Sequence, residues 1–230
     1  MRPGLSIRVV AEFLGTAFLV AAVVGSGIMA ERLSNGNVAL ALLANTIATG
    51  AALAALILTF APISGAHLNP AVSLSEALWK VLPWTEVLPY VGAQLTGGIC
   101  GTALAHAMFG LAIFMPSRHA RGGAAQWLSE FVATFGLLLV IWGSSRTGSG
   151  AVAFAVASYI MAAYWFTAST SFANPAVTIA RSLSDTFSGI RPVDVPAFVS
   201  AQIAGAVSAT LLFRWFGSRS PVVEPAVSSP

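Results

Sequence analysis

Charge is scarce in this chain. Only 8% of its 230 residues are charged, whereas 57% are hydrophobic, and the mean hydropathy is +0.82. Soluble domains carry about a quarter charged residues, so the composition excludes one, and no polar segment is long enough to form one separately. Cysteine is nearly absent too. Cys100, alone in "GGICGTA", excludes an internal disulfide and reads as a small packing residue. Eleven Lys and Arg give a net charge of +3 and a pI near 9.6, yet they stand singly between apolar runs. That scatter suits charges at membrane edges and argues against a nucleic-acid partner. No nucleophile with a base and no metal set is apparent, so an intramembrane enzyme is disfavoured and no cofactor is expected. His67 has no Cys, His or carboxylate partner at a metal-binding spacing.

What the chain has in quantity is long apolar runs. Six reach the length of a span, near residues 6–30, 37–60, 84–109, 124–145, 149–169 and 193–216, separated by breaks rich in Gly, Pro, Ser and Asn. Backbone groups in hydrocarbon must pair within their own segment, and the alternation of barrel strands is missing, so the spans are expected as helices. The start has the basic lead and apolar run of a secretory signal. A run of about twenty residues that contains Glu12 reads instead as a retained span.

Two further apolar pieces are too short to cross: "NPAVSLSEALWKVL" from Asn69 and "NPAVTIARSLSD" from Asn174. At about twelve residues each they predict helices roughly 18 Å long, which end to end would make one crossing of about 36 Å. Their surroundings repeat. "AEFLGTAFLV" at Ala11 resembles "SEFVATFGLLLV" at Ser129, and "YVGAQLTGGICG" at Tyr90 resembles "FVSAQIAGAVSA" at Phe198, so Glu12, Asn69 and Gln94 correspond to Glu130, Asn174 and Gln202. Three spans per half is an odd number, so the halves are inverted. The repeats run from about 6 to 109 and 124 to 217 within one domain, 1–230, with 218–230 expected as a flexible tail. Short Pro-interrupted segments at matching places mark the site of such architectures.

Asn is a preferred N-cap and Pro a preferred first helical residue, so each Asn-Pro-Ala reads as a helix start. Either could be only a cap. As a matched pair in inverted repeats, they would set two positive helix ends face to face near the midplane, with Asn69 and Asn174 projecting amide donors into a shared passage. Facing helix ends oppose cations and hydronium, so the passage suits neutral polar solutes. Gln94 and Gln202 are expected to tie helices together rather than line it.

On these residues the chain resembles the major intrinsic protein family of aquaporins and aquaglyceroporins over nearly its whole length. The resemblance rests on the duplicated NPA (Asn69, Pro70, Ala71 and Asn174, Pro175, Ala176), "SGAHLNPAVS", the Glu of spans one and four, and the inverted repeat. It implies an all-α membrane protein with six transmembrane helices and two re-entrant half-helices, a pore in each subunit of a homotetramer, and passive flow. Glu12 and Glu130, costly in lipid, should face the interior; the family pattern has them accept hydrogen bonds from the re-entrant loops. His67 matches the loop histidine at the inner pore mouth.

The family usually has Arg directly after the second NPA; here that residue is Val177. By family register the other constriction positions fall at Thr49, Ala162 and Ser171. Water-selective members place an aromatic residue, His and Arg there, so Thr, Ala, Ser and Val predict a wide, uncharged filter. Thr178 replaces the acidic residue of typical glycerol facilitators, leaving glycerol plausible. NPA followed by Val resembles the bacterial AqpS-type branch of arsenic resistance, whose substrates are arsenite and methylated arsenicals. Arg181, one turn beyond Val177, could supply the missing charge, but the preferred reading has it snorkelling at the outer surface near Asp185. Rival readings are a water-selective channel and a coupled secondary transporter; against the latter, the spans offer no carboxylate cluster beyond Glu12 and Glu130. Localisation is expected in a bacterial inner membrane with both termini cytoplasmic, on a weak bias of six basic residues (Arg2, Arg8, Lys80, Arg146, Arg214, Arg219) against five.

Overall fold

The structure, a computed structural model, describes residues 3–145 and 149–217. Arg2, Arg146, Arg219 and the tail 218–230 lie outside the described residues. The helices are α1 (Leu5–Leu33), α2 (Val38–Ser64), α3 (Pro70–Leu78), α4 (Trp84–Met108), α5 (Ala124–Ser144), α6 (Ser149–Phe166), α7 (Pro175–Arg181) and α8 (Val195–Gly217), with a 3-10 turn, Pro192–Asp194, leading into α8. Among the described residues there is no strand.

Every expected span is a helix, and α1, α2, α5 and Pro192–Phe216 are each long and apolar enough to cross a membrane. The 25-residue α4 carries a larger polar load, but its Gln94, Thr102 and His106 are fully buried. Large apolar side chains such as Phe18, Leu88, Phe154 and Leu211 are exposed on the outside of the bundle, as a lipid-facing surface requires.

α1 packs along α4 and α2, α5 packs along α8 and α6, and α2 meets α6 between the halves. Glycine permits close approach in the α1–α4 and α5–α8 pairs. A Cβ on Gly97 would lie 2.3 Å from the carbonyl oxygen of Phe13, and one on Gly205 would lie 2.5 Å from that of Phe131. The α1–α4 pair is also clamped by a two-pronged ion pair, Arg8 Nη1 and Nη2 lying 2.6 and 2.7 Å from the Glu86 oxygens.

The two short pieces are shorter than expected. α3 has nine residues and α7 seven, about 24 Å of rise together rather than 36 Å. Lys80, at φ 65°, turns the chain out of the first helix. After α7 the chain runs irregularly beside residues 115–117, where the amides of Met115 and Ser117 donate to the carbonyls of Leu183 and Ser182 at 2.9 Å. Each half-helix is entered through a non-helical loop with left-handed residues at matching places, Gly65, Ala66 and Leu68 in one, Thr170, Ser171 and Ala173 in the other.

Candidate functional site

Asn69 and Asn174 cap α3 and α7 in the same way. Their φ angles are −158° and −157°; Asn69 Oδ1 accepts from the amide of Ala71 at 2.9 Å, and Asn174 Oδ1 accepts from Ala176 at 3.0 Å and Val177 at 3.3 Å. Pro70 and Pro175 take the first helical position, and they, Ala71 and Ala176 are buried in the helix starts. The amide donors do more than project into a passage. Asn69 Nδ2 donates to the carbonyl of Ala173 and Asn174 Nδ2 to that of Leu68, both at 2.8 Å, so each half-helix start is bonded to the other half's loop. Each NH₂ keeps a second N–H with no protein partner among the described residues, and both Asn line one cavity.

The loops hang on two fully buried carboxylates. Glu12 Oε1 accepts from the Ser64 hydroxyl (2.6 Å) and the His67 amide (2.9 Å), and Oε2 from the Leu68 amide (2.6 Å) and Gln94 Nε2 (2.8 Å). Glu130 accepts from the amides of Phe172 and Ala173, both at 2.9 Å, and from Gln202 Nε2 at 2.6 Å. The two glutamines also donate to the half-helices, Gln94 to Ser73 Oγ at 2.9 Å and Gln202 to Thr178 Oγ1 at 2.8 Å. A charge in a low-dielectric interior is tolerable only when hydrogen-bonded, and here that requirement fixes two loops.

The cavity between the halves measures about 110 Å³, against the ~10–15 Å³ that one water needs on the same measure. Thr49, Ser171 and Val177 line it, as does His67, whose Nδ1 lies 3.0 Å from Ser73 Oγ. Ala162 does not. It is exposed on the far side of α6, while Ile160 and Tyr164, two residues to either side and so on the opposite face, line the cavity. Tyr164 also reaches across to Thr49, its hydroxyl donating to Thr49 Oγ1 at 3.3 Å.

Arg181 is also not where the sequence reading put it. It is 2% exposed and lines the cavity, with its guanidinium 3.4 Å from the Phe172 ring centroid and Nε donating to the carbonyl of Ser188. Asp185 pairs instead with Arg118, accepting its amide at 2.8 Å. Arg121, in the loop before α5, stacks on the same Phe172 at 4.9 Å and donates to the carbonyls of Gly189 and Ser169. Burial lowers its pKa to about 10, opposed by the Glu130 charge, so it stays cationic at neutral pH. At the opposite end the cavity is lined by Glu76, on α3. Glu76 is not among the residues that motif and composition single out, although it stands seven residues after Asn69, as Arg181 does after Asn174.

A bundle of membrane-length helices holding two short helices start to start around a common cavity is a channel of duplicated, inverted design. The major intrinsic protein family model matches residues 3–150 and 143–228, and the chain belongs to that family. Its members are passive channels for small neutral solutes and not enzymes, and this chain is such a channel. It is 58% identical over 211 residues to aquaglyceroporin AqpS of Rhizobium meliloti, covering 92% of this chain and 90% of that protein. It is 32% identical over 243 residues to the probable aquaporin AqpM of Archaeoglobus fulgidus, covering 92% and 97%. Among solved structures, the aquaglyceroporin of Plasmodium falciparum shares the fold with a TM-score of 0.69, at 22% identity and 91% and 96% coverage.

Proposed function

We propose that this channel passes neutral solutes larger than water, with glycerol and the neutral or methylated arsenic acids as its substrate class. The observation that carries the reading is Val177, lining the cavity in a position the family usually gives to Arg, beside Thr49 and Ser171. A ring of Val, Thr and Ser leaves space and adds no charge at that level, and Tyr164 gives it one aromatic edge. The name of the 58% identical relative, an aquaglyceroporin, supports solutes beyond water. The chain acts as one channel domain spanning residues 1–230, in a homotetramer with one pore per subunit. It sits in a bacterial inner membrane with both termini in the cytoplasm; the bacterial relative supports the membrane assignment.

Osmotic swelling of vesicles carrying the protein, compared for water, glycerol and arsenite, tests the substrate class. Swelling in all three is expected, and water flux with exclusion of both solutes would sink the reading. Linear flux that needs no ion gradient separates the channel from a coupled transporter.

A further inference from the structure

Two helix starts that face each other raise the energy of a cation at the pore centre, and by the same electrostatics they lower that of an anion. Arg181 adds a guanidinium at one end. Its Nε is bonded to Ser188, and its two amino groups have no hydrogen-bond partner among the described residues, although the guanidinium lies on the Phe172 face and the side chain lines the cavity. A small anion would therefore find a positive end and a positive centre. The group that opposes it is Glu76. This carboxylate lines the other end of the same cavity, partly buried, with no ion pair or side-chain hydrogen bond among the described residues. Glu76 and Arg181 are the seventh residues after Asn69 and Asn174, so the inverted repeat places them at mirror positions, one per mouth. Among the described residues no acid forms a salt bridge with Arg181 and no base with Glu76; the ion pairs there are Arg8–Glu86, Arg118–Asp185 and Arg191–Asp194.

We propose that Glu76 and Arg181 form a two-ended ion filter, in which Glu76 bars anions at one mouth and Arg181 bars cations at the other. Neutral solutes meet no net barrier from either. The proposal rests on the neutral-solute reading above and adds residues that decide what is refused.

Vesicles carrying wild type, Glu76→Gln or Arg181→Gln, assayed in parallel at mildly alkaline pH for glycerol-driven swelling and for nitrate and sodium flux, give the test. Wild type is expected to swell and to pass neither ion. Glu76→Gln should raise the ratio of nitrate flux to glycerol-driven swelling at least tenfold, with the sodium ratio unchanged. Arg181→Gln should raise the ratio of sodium flux to swelling by a smaller factor, since the facing helix starts still oppose a cation at the centre, with the nitrate ratio unchanged, and Glu76→Asp and Arg181→Lys should restore refusal. The two arms are independent, so if one variant fails to insert, the other decides. A variant that swells normally yet refuses both ions, or leaks both equally, overturns the filter. Failure of the wild type to swell overturns the neutral-solute reading instead.

Discussion

In the first repeat Glu12 takes the amides of His67 and Leu68, Gln94 bridges it to Ser73, and Val72 lines the cavity; in the second Glu130 takes those of Phe172 and Ala173, Gln202 bridges it to Thr178, and Val177 lines the cavity. The scaffolds agree almost bond for bond. Even the third residue after each Asn is the same, Val72 and Val177, so the two halves present matching walls at that level. The repeats part at the seventh residue, Glu76 against Arg181, and at the residues around it, where the second repeat has the Phe172 face and Arg121. Buried hydrogen-bond sets constrain both halves equally because an unpaired group costs the same in either. Wall residues face the solute and are free to differ.

The largest break in this symmetry should come from the carboxylates. Glu12 accepts four hydrogen bonds and Glu130 three, and bonds to a charged group contribute about 1.5–3 kcal/mol each. Glu12→Ala and Glu130→Ala should each lose folded protein in detergent melts and all flux in vesicles; tolerance of one alone would show that the scaffolds are unequal. Next come Gly97→Ala and Gly205→Ala, whose new methyl groups must push a neighbouring helix away. Each should cost about 1–3 kcal/mol, read as similar falls in Tm.

Val177→Arg should make the two halves unequal at that level and cut glycerol flux about tenfold, equivalent to about 1.4 kcal/mol of barrier, while water still passes; unchanged glycerol entry would mean that Val177 is not at the narrow level. The smallest effect is expected where third spans hold the opposite half-helices. The Ser75 hydroxyl lies 2.5 Å from that of Thr210, and Thr102 donates to the carbonyl of Ala180 at 3.1 Å. Thr210→Val and Thr102→Val should each cost about 0.5–1.5 kcal/mol, and a large gap between them would again separate the halves.

The helices were legible because composition and the single-residue punctuation of Gly, Pro and Asn report directly on hydrocarbon length. The paired Asn-Pro-Ala was legible because cap chemistry is local. Ala162 was not: a position on α6 assigned by counting back along a helix turns through 100° per residue, so a register borrowed from relatives lands on the wrong face. Arg181 was misplaced for a different reason. Its burial depends on Phe172 and Ser188, which come against it only when the chain folds back after α7. The half-helix lengths were overestimated because apolar composition continues past the point where Lys80 turns the backbone.

The exchange of side-chain donors between Asn69 and Ala173, and between Asn174 and Leu68, works as a rivet through the middle of the molecule. A machine that opened first to one side and then to the other by rocking its halves would have to shear both fastenings in every cycle. With them in place the two halves are pinned at the narrow centre, and solute moves through a frame that stands still.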